Sequence, residues 1–260
     1  MLNNTTENLR SFLEETEYCD CNHKDIQGVV DSFRKKYPDQ KELAIALFYY
    51  VRDGFLYRVG HWNKKASETL LEKKGVCTSK SNLLVALLRA AGIPAGYGVM
   101  KVEGKEYFGK IVPSFLTSKI ASKSTHIYTC VYLNNRWIKC DPSDDKKFSE
   151  NTCYFNPQCN LVDWDGENDA MLNLKSDHIL SDQSPLADID DIIRKKPRSS
   201  AKLTVKAGNF YVEFLRENPV RITNLAQLES LFKKWLKKNH FFFHYFFFFC
   251  FFCWKTKNKL

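Results

Sequence analysis

The sequence predicts an α+β protein in which helices pack on an antiparallel sheet and a cysteine lies at the N-terminus of a buried helix. The helix is indicated by residues 75–95, GVCTSKSNLLVALLRAAGIPA, in which apolar side chains recur every three or four positions. The sheet is indicated by residues 126–140, where two runs of alternating polarity flank an Asn-Asn pair. Candidate reactive side chains therefore fall at the ends of regular elements.

Cys77 is predicted to begin the helix. The stripe on one face consists of Leu84, Leu87, Leu88 and Ala91. Gly92 and Pro94 end the helix, because glycine favours the C-terminal cap and proline cannot continue the backbone pattern. The free N–H groups and the positive end of the helix dipole favour a thiolate, the form that attacks carbonyl carbon. The alternative is that Cys77 is a small buried core residue.

The second motif is a predicted β-hairpin that carries a histidine and an aspartate. Residues 126–133 and 136–140 form its strands, and Asn134-Asn135 forms its two-residue turn. That turn places position 126 opposite position 143, so Asp141 is a near-diagonal neighbour of His126 and comes within side-chain reach if the register shifts slightly. A thiol nucleophile needs an imidazole as its base, and the imidazole needs a carboxylate to orient it. Alternatively, His126 is an ordinary hydrogen-bonded strand residue and Asp141 only initiates a turn before Pro142.

With these residues in order, the sequence resembles the transglutaminase-like superfamily, and within it the bacterial transglutaminase-like domain proteins. The resemblance is carried by residues 75–95 and 124–142, extends from about Thr16 through FYYVRDGFLY at 48–57, and fades near Asp190. It covers roughly two thirds of the chain and implies a papain-like core. By that resemblance Cys77 is the nucleophile, His126 the base and Asp141 its orienting partner. The sequence departs from the family at Gly96, where a basic residue usually follows Gly-Ile-Pro-Ala.

The remaining pattern predicts further elements around the helix and the hairpin. One helix is expected from about Lys24 to Lys36, and a second from Pro38-Asp39 to Gly54. A short helix is expected in KASETLLEKKG, and a strand in residues 96–102. Residues 181–191 are acidic and are expected to form a loop, whereas residues 224–238 have the apolar spacing of a helix.

These patterns divide the chain into four predicted parts. Residues 1–15 form a polar N-terminal arm, and residues 16–192 form the transglutaminase-like domain. Residues 193–239 form a basic helical C-terminal extension, with KKPRSS near its start marking the boundary. Residues 240–260 form a phenylalanine-rich tail of low complexity, whose apolar run is short for a membrane-spanning helix. Membrane contact through this tail is one open alternative, and translated low-complexity sequence prone to aggregation is the other.

The amino-acid composition indicates the cellular compartment and the class of partner to expect. Nine cysteines, a polar start and a proposed catalytic thiol favour a reducing, cytoplasmic location without disulfides. The net charge of +9 is concentrated outside the predicted domain, and solvated helix faces explain it better than nucleic-acid binding. The expected partner is therefore a protein or peptide substrate.

No cofactor or metal ion is expected. Cys19, Cys21 and His23 form a single C-x-C-x-H without a second ligand pair, so a loop entering the first helix explains them better than zinc. Acyl transfer also needs donors for an oxyanion. The Cys77 backbone N–H supplies one donor, and the Trp62 indole is the candidate for the second.

The function expected from these residues is cysteine-dependent acyl transfer on amide bonds through a thioester. Hydrolysis of a peptide or isopeptide bond is favoured because water needs no second substrate site, and transamidation is the second outcome. The alternative is a non-catalytic module that binds a peptide on the same fold.

Overall fold

The computed structural model describes residues 9–108, 112, 120–152, 161–196, 203–218, 220–222 and 224–239. The phenylalanine-rich tail, the segment 153–160 with Cys153 and Cys159, and most of residues 109–119 lie outside the described residues. Part of the N-terminal arm, residues 1–8, and the end of the KKPRSS boundary also lie outside them.

Two amphipathic helices precede the cysteine. Helix α1 spans Lys24–Arg34, and His23 caps it by accepting a hydrogen bond from the Asp25 N–H. Helix α2 spans Gln40–Gly54, and Asp39 caps it through the Glu42 N–H. The predicted start and end of α2 are therefore confirmed, and the C-x-C-x-H motif leads into α1 as a loop.

A short parallel ribbon and two further helices follow. Strand β1 spans Leu56–Tyr57, helix α3 spans Ala66–Glu72 and strand β2 spans Lys74–Gly75. Strands β1 and β2 pair in parallel, with Tyr57 opposite Gly75. Helix α4 spans Cys77–Ala90 and begins directly after this ribbon. Cys77 is thus the first residue of its helix, as predicted.

The main sheet is antiparallel and has four strands in the order β5-β4-β3-β6. The strands are β3, Ala95–Glu103; β4, Lys123–Leu133; β5, Arg136–Cys140; and β6, Ile179–Leu186. Asn134 and Asn135 both have positive φ, as a tight two-residue hairpin turn requires. Leu133 pairs with Arg136 and Thr129 with Cys140, which confirms the predicted hairpin register.

Strand β6 corrects the expectation of a loop at residues 181–191. Most of its side chains are exposed, so its sequence shows no apolar alternation, yet it pairs with β3 through the backbone. Helix α5, Gly104–Phe108, and helix α6, Lys146–Thr152, also lie where no clear periodicity predicts them. A third short helix, α7, spans Asp190–Arg194.

Three apolar clusters hold the described residues together, and the smallest of them lies around Met100 and Tyr128 of the sheet. The largest cluster packs α1, α2 and α4 against one face of the sheet and includes Trp164. The second cluster surrounds Phe148 and consists largely of side chains from helix α8, Leu203–Glu217, and helix α9, Leu225–Asn239. The predicted helix at residues 224–238 is confirmed as α9, whereas α8 is not predicted by the sequence. The division into four parts stays a prediction.

Among the helices that the structure describes, none has the length and apolar content to cross a lipid bilayer.

Candidate active site

The chain lies very close to the first turn of helix α4 just before Cys77. A Cβ atom at Gly75 would lie 2.3 Å from the Ser79 Oγ, so only glycine fits there. Ser79 Oγ in turn accepts a hydrogen bond from the Val76 N–H at 3.0 Å and satisfies one free donor at the helix start. The chain is therefore held on both sides of Cys77.

Helix α4 is buried on every side, which the sequence alone did not indicate. Its residues from Thr78 to Arg89 are all buried, including a run of polar side chains directly after the cysteine. Polar groups in a protein core are costly unless they are hydrogen-bonded. Their partners therefore explain how the helix is oriented.

Three of these polar side chains bond to three different parts of the fold. Lys80 Nζ donates to the carbonyls at the end of α2, those of Arg52 at 3.1 Å and Phe55 at 2.7 Å. Ser81 Oγ donates to the Ile127 carbonyl of β4 at 3.1 Å. Asn82 Nδ2 donates to the Tyr18 carbonyl at 2.8 Å. These bonds fix the rotation of α4 about its axis, and hence the direction of Cys77.

The hairpin brings His126 and Asp141 into direct contact. His126 lies near the start of β4, and Asp141 follows the last residue of β5. The His126 Nε2 and Asp141 Oδ2 atoms are 2.5 Å apart, and both side chains are almost fully buried. The predicted diagonal neighbours therefore meet without a change of register.

The second oxygen of Asp141 is held by the residue two positions later. Asp141 Oδ1 accepts hydrogen bonds from the Ser143 N–H at 3.0 Å and from the Ser143 hydroxyl. The Asp141 N–H donates to the Ala170 carbonyl at 3.0 Å. Both carboxylate oxygens are thus engaged, which fixes the orientation of Asp141 towards His126.

Cys77 meets the other side of this pair. Its thiol hydrogen-bonds the His126 side chain, and the Ile127 N–H also points to the sulfur. Cys77 is partly exposed, whereas the other described cysteines, Cys19, Cys21, Cys130 and Cys140, are buried free thiols.

The three protonation states are coupled. Burial disfavours a charged Cys77, but the hydrogen bond and positive charge of His126 outweigh it and lower the pKa of the thiol. Burial likewise opposes a charged His126, but Asp141 and Cys77 raise the pKa of the imidazole well above its usual range. Burial is also outweighed at Asp141, where His126 and Ser143 lower the pKa of the carboxyl. The arrangement favours a thiolate, an imidazolium and a carboxylate in a row.

Residues 27–142 match the family model of the transglutaminase-like superfamily. Residues 27–142 thus resemble a transglutaminase-like domain. The match includes Cys77, His126 and Asp141 and ends one residue after Asp141.

One solved structure that resembles the chain is that of a candidate cysteine protease from Cytophaga hutchinsonii. The similarity has a TM-score of 0.39 and 22% sequence identity, and covers 50% of this chain and 40% of that chain. The chain thus spans less than half of that protein, and at this TM-score the likeness carries no functional weight. A search of curated proteins finds no match.

The departure at Gly96 has a packing explanation. A Cβ atom at this position would lie 2.5 Å from the Leu186 carbonyl oxygen of β6 and 2.8 Å from the Phe12 ring. The neighbouring strand and the N-terminal segment therefore occupy the space that a side chain would need. A basic side chain at position 96 would require β6 to move.

Two further site roles were considered from the sequence, a second oxyanion donor and a metal site. Trp62 is half-buried between β1 and α3, and its role as an oxyanion donor stays a prediction. Within the described parts of the chain, no three His, Cys, Asp or Glu side chains are grouped to hold a metal ion. Sequence reasoning missed Ser143 and the anchors Lys80 and Ser81, although the polar run TSKSN after Cys77 was a visible signal.

Proposed function

We propose that this protein is a cysteine-dependent acyl-transfer enzyme that acts on amide bonds of a protein or peptide. The observation that supports this most directly is the contact of a partly exposed thiol with a buried His126–Asp141 pair that lowers the pKa of that thiol. Hydrolysis of a peptide or isopeptide bond is the proposed outcome, with transamidation as the second.

In the first half of the reaction, the Cys77 thiolate attacks the carbonyl carbon of the substrate amide. The carbonyl oxygen becomes an oxyanion, and the Cys77 backbone N–H at the start of α4 is the donor directed to it. His126 then gives its proton to the amide nitrogen, the C–N bond breaks, and the amine leaves. The product is a thioester on Cys77 and a neutral imidazole.

In the second half, His126 removes a proton from water, which attacks the thioester carbon. The C–S bond breaks, the carboxylic acid product leaves, and the thiolate returns beside the imidazolium. An amine in place of water would give a new amide, which is transamidation. Asp141 stabilises the imidazolium in the resting state and after each turnover.

The first test is the rate of Cys77 alkylation by iodoacetamide across pH, followed by mass spectrometry in the wild type and in His126→Ala. We expect fast labelling of the wild type well below about pH 8, and at least tenfold slower labelling of the variant. Equal, slow labelling of both proteins would contradict an activated thiolate.

The second test distinguishes the outcomes of the reaction. Unfolded casein is incubated with the full-length protein, with and without a fluorescent primary amine, and new peptide termini and amine incorporation are both measured. Hydrolysis predicts new termini, and transamidation predicts incorporated amine. Cys77→Ala is the control for contaminating protease, and binding of casein without either product favours the peptide-binding alternative.

A further inference from the structure

A buried ion pair joins the segment after Asp141 to helix α8. Arg216 Nη2 lies 2.7 Å from Asp145 Oδ2, and Arg216 Nε lies 3.1 Å from each carboxylate oxygen. The two side chains are only 8% and 2% exposed. Both residues lie beyond residue 142, where the family match ends.

The same pair also contacts the ribbon that leads to the cysteine. Asp145 Oδ2 accepts a hydrogen bond from the Tyr57 N–H at 2.8 Å, and Arg216 Nη2 donates to the Tyr57 carbonyl at 2.8 Å. Tyr57 in β1 pairs with Gly75 in β2, two residues before Cys77. The ion pair therefore touches the approach to Cys77 and the segment that follows Asp141.

The segment 141–145 is short and is fixed at both ends. At its start, the Asp141 N–H bonds to the Ala170 carbonyl, and at its end Asp145 bonds to Arg216 and caps α6 through the Phe148 N–H at 3.2 Å. Ser143, which holds Asp141, lies in the middle. Movement of Asp145 would therefore be passed to Ser143 and to the Asp141 carboxylate.

We propose that Arg216 and Asp145 are positioning residues for the Cys77–His126–Asp141 site, so that helix α8 is a working part of it. This inference rests on the proposed function. Arg216 touches none of the three side chains directly. It acts by holding Asp145, because a buried carboxylate that loses its cation must move or take up a proton.

The test compares Arg216→Gln and Arg216→Lys with the matched control Arg58→Gln in the full-length protein. Arg58 contacts the same helix, through Glu213 at 3.0 Å, and this pair is more exposed than Arg216 and Asp145. We expect Arg216→Gln to slow Cys77 alkylation at pH 6 about tenfold, which corresponds to a thiol pKa higher by about one unit. We expect an intermediate effect for Arg216→Lys, because lysine keeps the charge but loses the paired geometry.

A second readout reports on the site even if Cys77 proves unreactive. The imidazole N–H proton shared by His126 and Asp141 is followed by NMR, and we expect it to shift or broaden in Arg216→Gln and to be unchanged in Arg58→Gln. An unreactive wild-type thiol would overturn the proposed function, while the NMR result would still decide whether Arg216 positions the pair.

Thermal unfolding separates positioning from loss of the fold. If Arg216→Gln does not fold, both readouts are taken on the double variant Asp145→Asn with Arg216→Gln, which removes both charges of this pair. A folded single or double variant with wild-type alkylation and a wild-type imidazole proton would overturn the proposal. An altered imidazole proton in a folded variant would support it.

Discussion

At the scale of single residues, each member of the candidate site is charged because of its neighbour. Asp141 raises the pKa of His126, and His126 lowers the pKa of Cys77. The ion pair of thiolate and imidazolium therefore exists between the lowered pKa of the thiol and the raised pKa of the imidazole. Acid removes the pair by protonating sulfur, and base removes it by deprotonating His126.

This coupling predicts the effect of Asp141→Asn on His126. Without the carboxylate, the pKa of His126 should fall, because burial then opposes the imidazolium without compensation. The measurement is the NMR titration of the His126 Cε1 proton, with Asp25→Asn as a control carboxylate on the exposed surface of α1. We also expect hydrolysis to slow by about 10²–10⁴-fold. The alkaline limb of the pH–rate profile should shift to lower pH, because His126 then loses its proton at lower pH. An unchanged His126 titration would contradict this account.

The three residues were predictable because each lies at the end of a regular element. Two asparagines that accept positive φ specify a two-residue turn, and that turn alone sets which residues oppose each other in the hairpin. The partners Ser143 and Ile127 were not predictable. Their contacts depend on the path of the backbone after β5 and on the distance between α4 and β4.

At the scale of elements, the orientation of α4 is set by polar contacts more than by its apolar stripe. Apolar contacts do not depend on direction, whereas Lys80, Ser81 and Asn82 each donate to particular backbone carbonyls of neighbouring segments. Ser81 matters most for the site, since its partner carbonyl belongs to Ile127, next to His126.

Ser81→Ala should therefore destabilise the protein and disturb the site. The substitution leaves the buried Ile127 carbonyl without that donor, at a cost of about 1–3 kcal/mol in the free energy of unfolding. The matched control is Ser32→Ala, because Ser32 also donates to a backbone carbonyl but is exposed on α1. Chemical denaturation of both variants checks the prediction, and equal stability of the two variants would refute it.

Sequence patterns predicted those elements that bury a periodic apolar face and carry their end signals in nearby residues. Helix α2 has a capping aspartate, a periodic apolar face and a terminal glycine, and its bounds were predictable. Strand β6 shows the opposite case, because its exposed side chains carry no pattern and its pairing is a property of the backbone. The apolar face of α8 packs in a cluster with Phe148, more than fifty residues earlier, which local periodicity cannot reveal.

At the scale of the whole molecule, two more titratable groups interact with the site, the buried Lys80 and the partly exposed Asp144. Burial lowers the pKa of Lys80 to about 8, and burial together with Asp141 raises the pKa of Asp144 to about 7. In the unfolded chain an aspartate ionises near pH 4, at about 3.9. Between about pH 4 and about pH 7 the folded protein thus holds a proton on Asp144 that the unfolded chain has released, so the contribution of this group to stability falls as pH rises through that range.

Asp144→Asn should remove this pH dependence. We expect the variant to unfold at a higher temperature than the wild type at pH 8, where ionised Asp144 opposes folding, and to lose that advantage at pH 4. Differential scanning calorimetry at both pH values checks the prediction. A variant less stable than the wild type at pH 8 would show that the charge of Asp144 is favourable.

The ion pair between Asp145 and Arg216 has a consequence for how the protein is made. The two residues are 71 positions apart, and the ribosome adds roughly 5–20 residues per second. Cys77, His126 and Asp141 thus leave the ribosome seconds before the arginine that anchors the segment after Asp141. A growing chain therefore exposes Cys77 before α8 is made, and the positioning role proposed for Arg216 predicts full thiol reactivity only when synthesis has passed α8.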